Sequence, residues 1–258
     1  LEDLSKTKEW HNLLHYKKSF FKEVQSEVDS SQFFLSKEGS QDPLKELRST
    51  IDAFLKTPEI QCQFPARFYF IKQKTSLKFP KAKCLDFDKF KNKLRAKSLS
   101  VVFSSHYMDS PSSAFGHTLL RIKKNKHLSK EDFPLLDYAV NFAASNTTNN
   151  ALAYAFKGMS GDLKGIFSTL PYFYKIREYN DYEARDLWEY ELNLKQVEIS
   201  KIIRHLWEMK KAHFDYYYLS ENCSYHLLGL LDIANSNWNL TQRTSKFVIP
   251  SDTIKIIT

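Results

Sequence analysis

The chain has 258 residues, a formal net charge of +8, 42% hydrophobic residues, three cysteines and six glycines, which suits one large domain or a core domain with a smaller companion. The low glycine content and the absence of GxGxxG and GxxxxGK[ST] motifs argue against a glycine-dependent nucleotide fold. The lysines are scattered without a zinc finger, an RNA-binding aromatic signature or a long basic helix, so we expect no nucleic-acid partner, and no apolar run approaches the length of a membrane span.

The first 95 residues are predicted to be mostly helical. Apolar residues recur at helical spacing between residues 4 and 24. Asp42 is placed to cap the next helix and Pro43 suits its first turn. The apolar stripe of that helix consists of Leu44, Leu47, Ile51 and Phe54. Residues 64–71, FPARFYFI, alternate in the manner of a strand or an extended arm.

From about residue 97 the pattern changes to strands. Four strands and one helix are predicted, over residues 98–105, 113–123, 134–144, 185–193 and 196–214 respectively. Alternation places His117 on the same face of the second strand as Arg121, and Asp137 on the same face of the third strand as Asn141. These elements predict an α+β core behind a helical N-terminal lobe.

Cys223 stands at the predicted start of a further helix. The leucines that follow it indicate a buried helix, which either Ser220 or Asn222 can cap. In the first turn, the helix dipole stabilises a thiolate and backbone amides can donate to an oxyanion. A buried structural cysteine is the alternative interpretation, because free cysteine is usually buried.

A thiolate nucleophile normally needs a base, and the sequence offers candidates. His117 is preferred to His226, which lies on the cysteine's own helix, because His117 follows the small-residue segment SPSSAFGH, which leaves room for a substrate. Asp137 and Asn141 are the two options for orienting the imidazole. The spacing of the histidines and cysteines matches no metal site that we recognise, so neither a metal nor a cofactor is predicted.

The other two cysteines are Cys62 and Cys84. In an oxidising compartment they can pair and leave Cys223 as the odd thiol. Two buried free thiols are the alternative.

The order of these motifs, a strand histidine followed by an Asn-Cys pair that opens a helix, resembles the circularly permuted papain-like fold of NlpC-type peptidases and lecithin–retinol acyltransferase relatives. More specifically, the sequence resembles the N-terminal periplasmic domain of the bacterial lipoprotein N-acyltransferase family known as Lnb. The resemblance is carried by residues 110–122, 135–144, 156–192 and 214–232, with FGH and NCSYHLL as its most specific motifs. WHNLLHY, CQFPARF and residues 33–54 are similar to the N-terminal lobe of longer members.

The resemblance implies a papain-like thiol catalytic domain over residues 96–258 behind the lobe at residues 1–95. It makes Cys223 the nucleophile and His117 the general base and acid. It implies transfer of an acyl chain from a phospholipid, through a Cys223 thioester, to the N-terminal cysteine amine of a diacylated lipoprotein. We assign oxyanion and substrate positioning to four neighbours of the pair: Asn222, Ser224, Ser112 and Ser113.

The resemblance also implies a periplasmic, membrane-associated protein, and with the odd thiol count this predicts a Cys62–Cys84 disulfide. The final PSDTIKIIT is typical of a helix start, and we expect the chain to be a soluble fragment of a longer membrane protein.

Residues 161–179 combine aromatic residues, lysines, two glycines and a proline, which argues against one long helix. We predict that part of this segment forms a greasy lip that dips into the membrane and guides an acyl chain to Cys223. A strand and loop packed on the core is the alternative. The predicted lip residues are Phe167, Leu170, Tyr172 and Phe173. Two other functions stay open: a cysteine peptidase or amidase acting on cell-wall peptides, and a non-catalytic, membrane-associated binding module.

Overall fold

The computed structural model describes residues 1–18, 24–106, 115–124, 136–145, 151–182 and 185–258, which form a mixed α+β fold as predicted. The α-helices are α1 (Glu2–Ser5), α2 (Lys8–Leu13), α3 (Pro43–Lys56), α4 (Ile60–Gln63), α5 (Pro65–Lys74), α6 (Leu85–Leu94), α7 (Ala151–Ser160), α8 (Tyr172–Ile176), α9 (Gln196–Glu208), α10 (Cys223–Asp232) and α11 (Pro250–Ile257). The strands are β1 (Tyr16–Lys17), β2 (Gln25–Ser26), β3 (Ala96–Ser104), β4 (His117–Lys124), β5 (Tyr138–Ala144), β6 (Leu163–Pro171), β7 (Leu187–Leu192) and β8 (Phe214–Tyr216).

The described strands form a small hairpin, β1 with β2, and one antiparallel sheet in the order β7-β3-β4-β5-β6-β8. The four predicted strands correspond to β3, β4, β5 and β7. Two strands differ from the sequence prediction. β6 occupies part of the segment predicted as a lip. The helix predicted over residues 196–214 ends at Glu208, and its last predicted residue, Phe214, begins β8.

The two faces of the sheet have different coverings. Helices α9, α10 and α11 pack against one face, whose alternate strand residues, such as Leu120 and Phe142, belong to the main core. The opposite face carries a smaller apolar cluster that includes Leu119 and the ring of Tyr172. Since alternation along β4 sends Thr118 to the first face and His117 to the second, the start of this strand presents polar groups on both sides.

The N-terminal helices follow their capping signals. The Asp42 carboxylate accepts hydrogen bonds from the N–H groups of Leu44 at 3.1 Å and Lys45 at 2.9 Å, as predicted for α3. The helical spacing over residues 4–24 produces only the short helices α1 and α2 in the described residues. The hydroxyl of Thr7 caps α2, and a positive φ of 52° at His15 then turns the chain into β1.

The prediction of a strand or extended arm over residues 64–71 is wrong, because this segment is helix α5. Pro65 occupies the first turn, where its missing N–H is harmless. The Glu208 carboxylate, far away in sequence, accepts hydrogen bonds from the N–H groups of Ala66 at 2.6 Å and Arg67 at 2.9 Å. This tertiary cap supplies acceptors that the local sequence lacks, and Pro65 is the one local start signal that the prediction did not use.

The predicted disulfide is confirmed. Cys62 in α4 is bonded to Cys84, the residue that precedes α6. The bond ties α4 to the start of α6 and closes a loop that contains α5.

Candidate active site

Cys223 is the first residue of α10, and only 3% of its side chain is exposed. Of the two predicted capping residues, Asn222 is the one that caps this helix. Its side-chain oxygen accepts hydrogen bonds from two first-turn N–H groups at 3.0 and 3.4 Å. Its side-chain nitrogen donates to the carbonyls of Tyr218 at 2.8 Å and Val248 at 2.6 Å. The Asn222 amide therefore fixes the turn that carries the thiol.

His117 is the first residue of β4 and lies opposite Ser104 of β3. Gly116, which precedes it, has a φ of +87°, and a Cβ atom at this position would lie 2.6 Å from the carbonyl oxygen of Ser104. Only glycine suits both the left-handed backbone and the close approach. Ser112 and Ser113, predicted to position the substrate, lie outside the described residues.

The imidazole of His117 lies between an amide and a thiol. Its Nε2 donates to the side-chain oxygen of Asn141 at 2.5 Å, and the ring also hydrogen-bonds the thiol of Cys223. Since Nε2 is taken by the amide, Nδ1 is the ring nitrogen left for sulfur. A histidine held at one nitrogen by a neutral oxygen has its tautomer and its orientation fixed for exchange of a proton at the other.

The two titrating groups shift each other's pKa in opposite directions. Burial raises the pKa of Cys223, but the charge of His117 and hydrogen bonds from His117 and Thr118 outweigh it, so the pKa falls from 9.0 to about 7. Burial lowers the pKa of His117, but the charge of Cys223 and hydrogen bonds to Cys223 and Asn141 raise it above 6.5. The pair therefore favours thiolate and imidazolium near neutral pH.

Thr118, which the sequence analysis missed, adds to this environment. Its hydroxyl lies 3.8 Å from the sulfur of Cys223 and 3.5 Å from the hydroxyl of Ser224. Ser224, predicted to position the substrate, is fully buried against Thr118. A signal for Thr118 exists in the sequence, because alternation sends the residue after His117 to the opposite face of β4, where α10 packs.

Asp137 and Asn141 have different partners. The carboxylate of Asp137 binds Arg121, at 2.9 Å to Nε and 2.7 Å to Nη2, and also accepts the N–H of Lys124 at 3.0 Å. Asn141 is 8% exposed and contacts His117. The structure therefore brings Asn141 to the imidazole and assigns Asp137 to a buried ion pair.

His226, the other histidine that was considered, is 1% exposed and packs its ring at 4.3 Å from the rings of both Phe142 and Phe214. Burial holds its pKa well below the ordinary value of 6.5. It is a packing residue of the main core.

The predicted lip requires a correction, because two of its four residues lie in the core. Phe167 is 8% exposed and packs on the ring of Phe142 at 4.9 Å, and Tyr172 is 5% exposed. Leu170 and Phe173 are half-buried. Phe167 and Tyr172 therefore cannot reach a membrane, and the alternative of a strand packed on the core describes this segment.

A cationic group lies beside His117, and no motif in the sequence indicated it. The ring of Tyr179 is 6.5 Å from the imidazole, between centroids. The Nζ of Lys175 lies 5.3 Å from the centroid of the Tyr179 ring, and the guanidinium carbon of Arg185 lies 5.1 Å from it. Two cationic side chains therefore lie on the Tyr179 ring beside the imidazole, and Lys175 also pairs with the Glu178 carboxylate at 2.7 Å.

A buried cysteine at a helix start, an imidazole on an antiparallel sheet and an amide behind it define an α+β protein with a thiol–imidazole–amide site. The chain belongs to the family described as the Lnb N-terminal periplasmic domain, which matches residues 86–258. Residues 2–74 match a domain of unknown function, DUF7843. No curated protein and no solved structure matches the chain.

Family membership supports a periplasmic location and points to a role in lipoprotein processing. None of the helices in the described ranges combines the length and the hydropathy needed to cross a bilayer. The same ranges contain no group of three or more His, Cys, Asp or Glu side chains placed to hold a metal ion.

Proposed function

We propose that the protein is a cysteine-dependent lipoprotein N-acyltransferase that moves an acyl chain from a phospholipid to the N-terminal cysteine amine of a diacylated lipoprotein. The observation that carries this proposal is a chain of hydrogen bonds. Asn141 contacts His117, and His117 contacts the thiol of Cys223, which begins α10. Family membership supports a role in lipoprotein processing, and the substrate classes follow the resemblance described in the sequence analysis.

The first half-reaction forms a thioester. The Cys223 thiolate attacks the carbonyl carbon of a phospholipid ester, and the carbonyl oxygen becomes an oxyanion. The Asn222 side chain occupies the N–H groups of Ser224 and Tyr225, so the N–H of Cys223 itself is the first-turn donor left for that oxyanion. The carbon–oxygen bond then breaks, the imidazolium of His117 protonates the leaving oxygen, and a lysophospholipid departs.

The second half-reaction transfers the acyl chain. The lipoprotein α-amine attacks the thioester carbonyl while neutral His117 accepts a proton from the nitrogen. The carbon–sulfur bond breaks, the thiolate returns and an amide is released. An amine reacts readily with a thioester, and a site with little water limits competing hydrolysis.

The fold proposal is that residues 96–258 form a circularly permuted papain-like domain. Support comes from the order His117, Asn141, Cys223 along the chain and from the packing of α10 on β4 and β5. A helix that begins with the nucleophile and packs on an antiparallel sheet that carries the base satisfies the geometric roles of such a site.

Intact-mass spectrometry after incubation with a phospholipid tests the function. The wild-type protein should gain the mass of one acyl group, and addition of a diacylglyceryl peptide with a free N-terminal cysteine amine should remove it as an amide product. Cys223→Ser and His117→Gln should show no mass gain, while His106→Gln, a substitution of an exposed histidine, should behave as wild type.

Two results would contradict the proposal. Cleavage of cell-wall peptides, with no acyl-enzyme formed from phospholipid, would favour the peptidase or amidase. A wild-type thiol inert to both phospholipid and iodoacetamide at neutral pH would favour a binding module with a structural cysteine.

A further inference from the structure

Three large apolar side chains protrude near the turn that carries Cys223. Phe156 and Met159 of α7 are 71% and 70% exposed, and Phe247 is 65% exposed. Phe156 and Met159 are three residues apart and therefore lie on the same side of their helix. We call Phe156, Met159 and Phe247 the apolar rim.

Backbone hydrogen bonds tie the apolar rim to the turn before Cys223. The N–H of Tyr218 donates to the carbonyl of Gly158 at 2.9 Å, and the N–H of Val248 donates to the carbonyl of Leu219 at 2.8 Å. The Asn222 side chain binds the carbonyls of both Tyr218 and Val248. The segments that carry the rim thus flank the turn that leads to the thiol.

Close packing supports this connection. A Cβ atom on Gly158 would lie 2.2 Å from the ring of Tyr218, so α7 rests directly on the turn. Phe156 and Met159 flank this glycine in the sequence, and both side chains are exposed to solvent beside the contact.

Two lysines adjoin the residues of the apolar rim in the sequence. Lys157 lies between Phe156 and Met159, and Lys246 immediately precedes Phe247. Among the ion pairs of the described residues, neither lysine has a carboxylate partner within 4.0 Å. Apolar tips beside lysines suit the boundary between acyl chains and anionic headgroups.

The area of the rim argues against a protein partner. At about 70% exposure, three side chains of roughly 150–250 Å² each offer roughly 300–500 Å², which is less than the roughly 600–800 Å² that each partner buries in a stable protein interface. Insertion into a lipid surface requires no such complementary area, because every exposed methylene gains by leaving water.

We infer that the apolar rim inserts into the surface of an anionic phospholipid bilayer and holds the start of α10, with Cys223, against it. The consequence for catalysis rests on the proposed function, whereas the membrane contact itself does not require the thiol. This places the lipid contact on α7 and on the segment before α11, whereas the sequence analysis placed it on residues 161–179.

Vesicle co-sedimentation tests the inference, with vesicles of phosphatidylcholine alone and of phosphatidylcholine with phosphatidylglycerol. The triple variant Phe156→Ser, Met159→Ser, Phe247→Ser should bind anionic vesicles roughly tenfold more weakly than wild type or worse. The variant Lys157→Gln, Lys246→Gln should lose its preference for anionic vesicles. The control Leu85→Ser, which changes a leucine of α6 that is 67% exposed, should bind as wild type.

Further arms separate this inference from the proposed function. Cys223→Ser should bind vesicles as wild type, and the triple variant should still form the thioester with a short-chain phospholipid dispersed in detergent. Wild-type vesicle binding by the folded triple variant would overturn the inference while leaving the thiol chemistry intact. A wild-type dimer that the triple substitution dissociates would overturn it in favour of a contact between copies. Loss of vesicle binding in the triple variant, with no acyl-enzyme in wild type, would support the rim and contradict the proposed function.

Discussion

At the scale of single residues, the depressed thiol pKa is the property easiest to measure. The rate of alkylation of Cys223 by iodoacetamide should rise with pH around a midpoint of about 7, where an ordinary thiol has 9.0. In His117→Gln the imidazolium charge is lost while the burial remains. Since burial raises the pKa of Cys223 and the opposing charge is gone, the midpoint should rise above about 7.

The sign of this shift is diagnostic. Above its pKa the thiol is a thiolate and reacts, and below it the thiol is protonated and does not. His106→Gln serves as the control and should keep the wild-type midpoint. An unchanged midpoint in His117→Gln would remove the imidazole from the activation of Cys223.

The orienting residue gives a second prediction. Asn141→Ala should lower kcat/KM roughly 10²-fold, mostly through kcat, because the imidazole loses the hydrogen bond that fixes its Nε2. Asp137→Asn should leave kcat within a few-fold of wild type and chiefly reduce stability, since its carboxylate binds Arg121. Steady-state kinetics and urea unfolding on both variants separate the two roles. The reverse pattern would restore Asp137 as the orienting residue.

Sequence patterns locate Cys223 and His117 because a helix start and a strand start can each be read locally. They leave Asp137 and Asn141 equivalent, since both alternate onto one face of the same strand segment. The position of each residue along the strand, relative to the start of β4, decides which side chain contacts the imidazole. The burial of Phe167 was not predictable in the same way, because it depends on the packing of Phe142 and Phe214 around β6.

At the scale of elements, hydrophobic periodicity predicts a helix or strand correctly where its apolar residues lie on one buried face. The buried stripe of α9, with Ile199, Ile202 and Leu206, has helical spacing and was predicted. Helix α5 was missed because Phe64, Ala66 and Phe68 alternate like a strand, while its start is capped by a carboxylate from α9. A tertiary cap leaves no mark in the local sequence.

The disulfide gives the prediction at this scale. The double variant Cys62→Ser, Cys84→Ser should lose roughly 3 kcal/mol of unfolding free energy, because the bond closes a loop with a sequence separation of 22 residues. Urea unfolding of oxidised wild type and of the variant measures this loss. Thiol titration of unfolded, unreduced wild type should find one free thiol, and three would contradict the bond. Reduced wild type should match the double variant.

At the scale of the whole molecule, the N-terminal region and the sheet share one core. The main buried cluster contains Trp10 and Phe54 from the N-terminal helices together with Leu120 and Phe142 from the sheet. Division into a lobe at residues 1–95 and a catalytic domain at residues 96–258 stays a prediction. Shared apolar packing leads us to expect that both parts unfold in one cooperative transition.

A buried ion network crosses the same boundary. The guanidinium of Arg67, with its side chain 0% exposed, lies 3.0 Å from the Glu46 carboxylate and 3.3 Å from that of Glu208. It also donates to the carbonyl of Phe33 at 2.7 Å and stacks at 4.3 Å from the ring centroid of Phe64. Because the guanidinium of Arg67 is fully buried, water cannot replace its carboxylate partners, and the loss of one leaves a buried charge that is poorly compensated.

Glu208→Ala should therefore lower the unfolding free energy by about 3–5 kcal/mol, since it leaves Arg67 buried with one partner and removes the acceptor for two N–H groups of α5. Asp52→Ala is the matched control, because its ion pair with Lys56 is exposed, and it should cost less than about 1 kcal/mol. Urea unfolding followed by tryptophan fluorescence measures both. Equal losses in the two variants would show that the network contributes no more than a surface pair. A larger loss with a single transition would mean that α9 joins the N-terminal region and the six-stranded sheet into one folding unit.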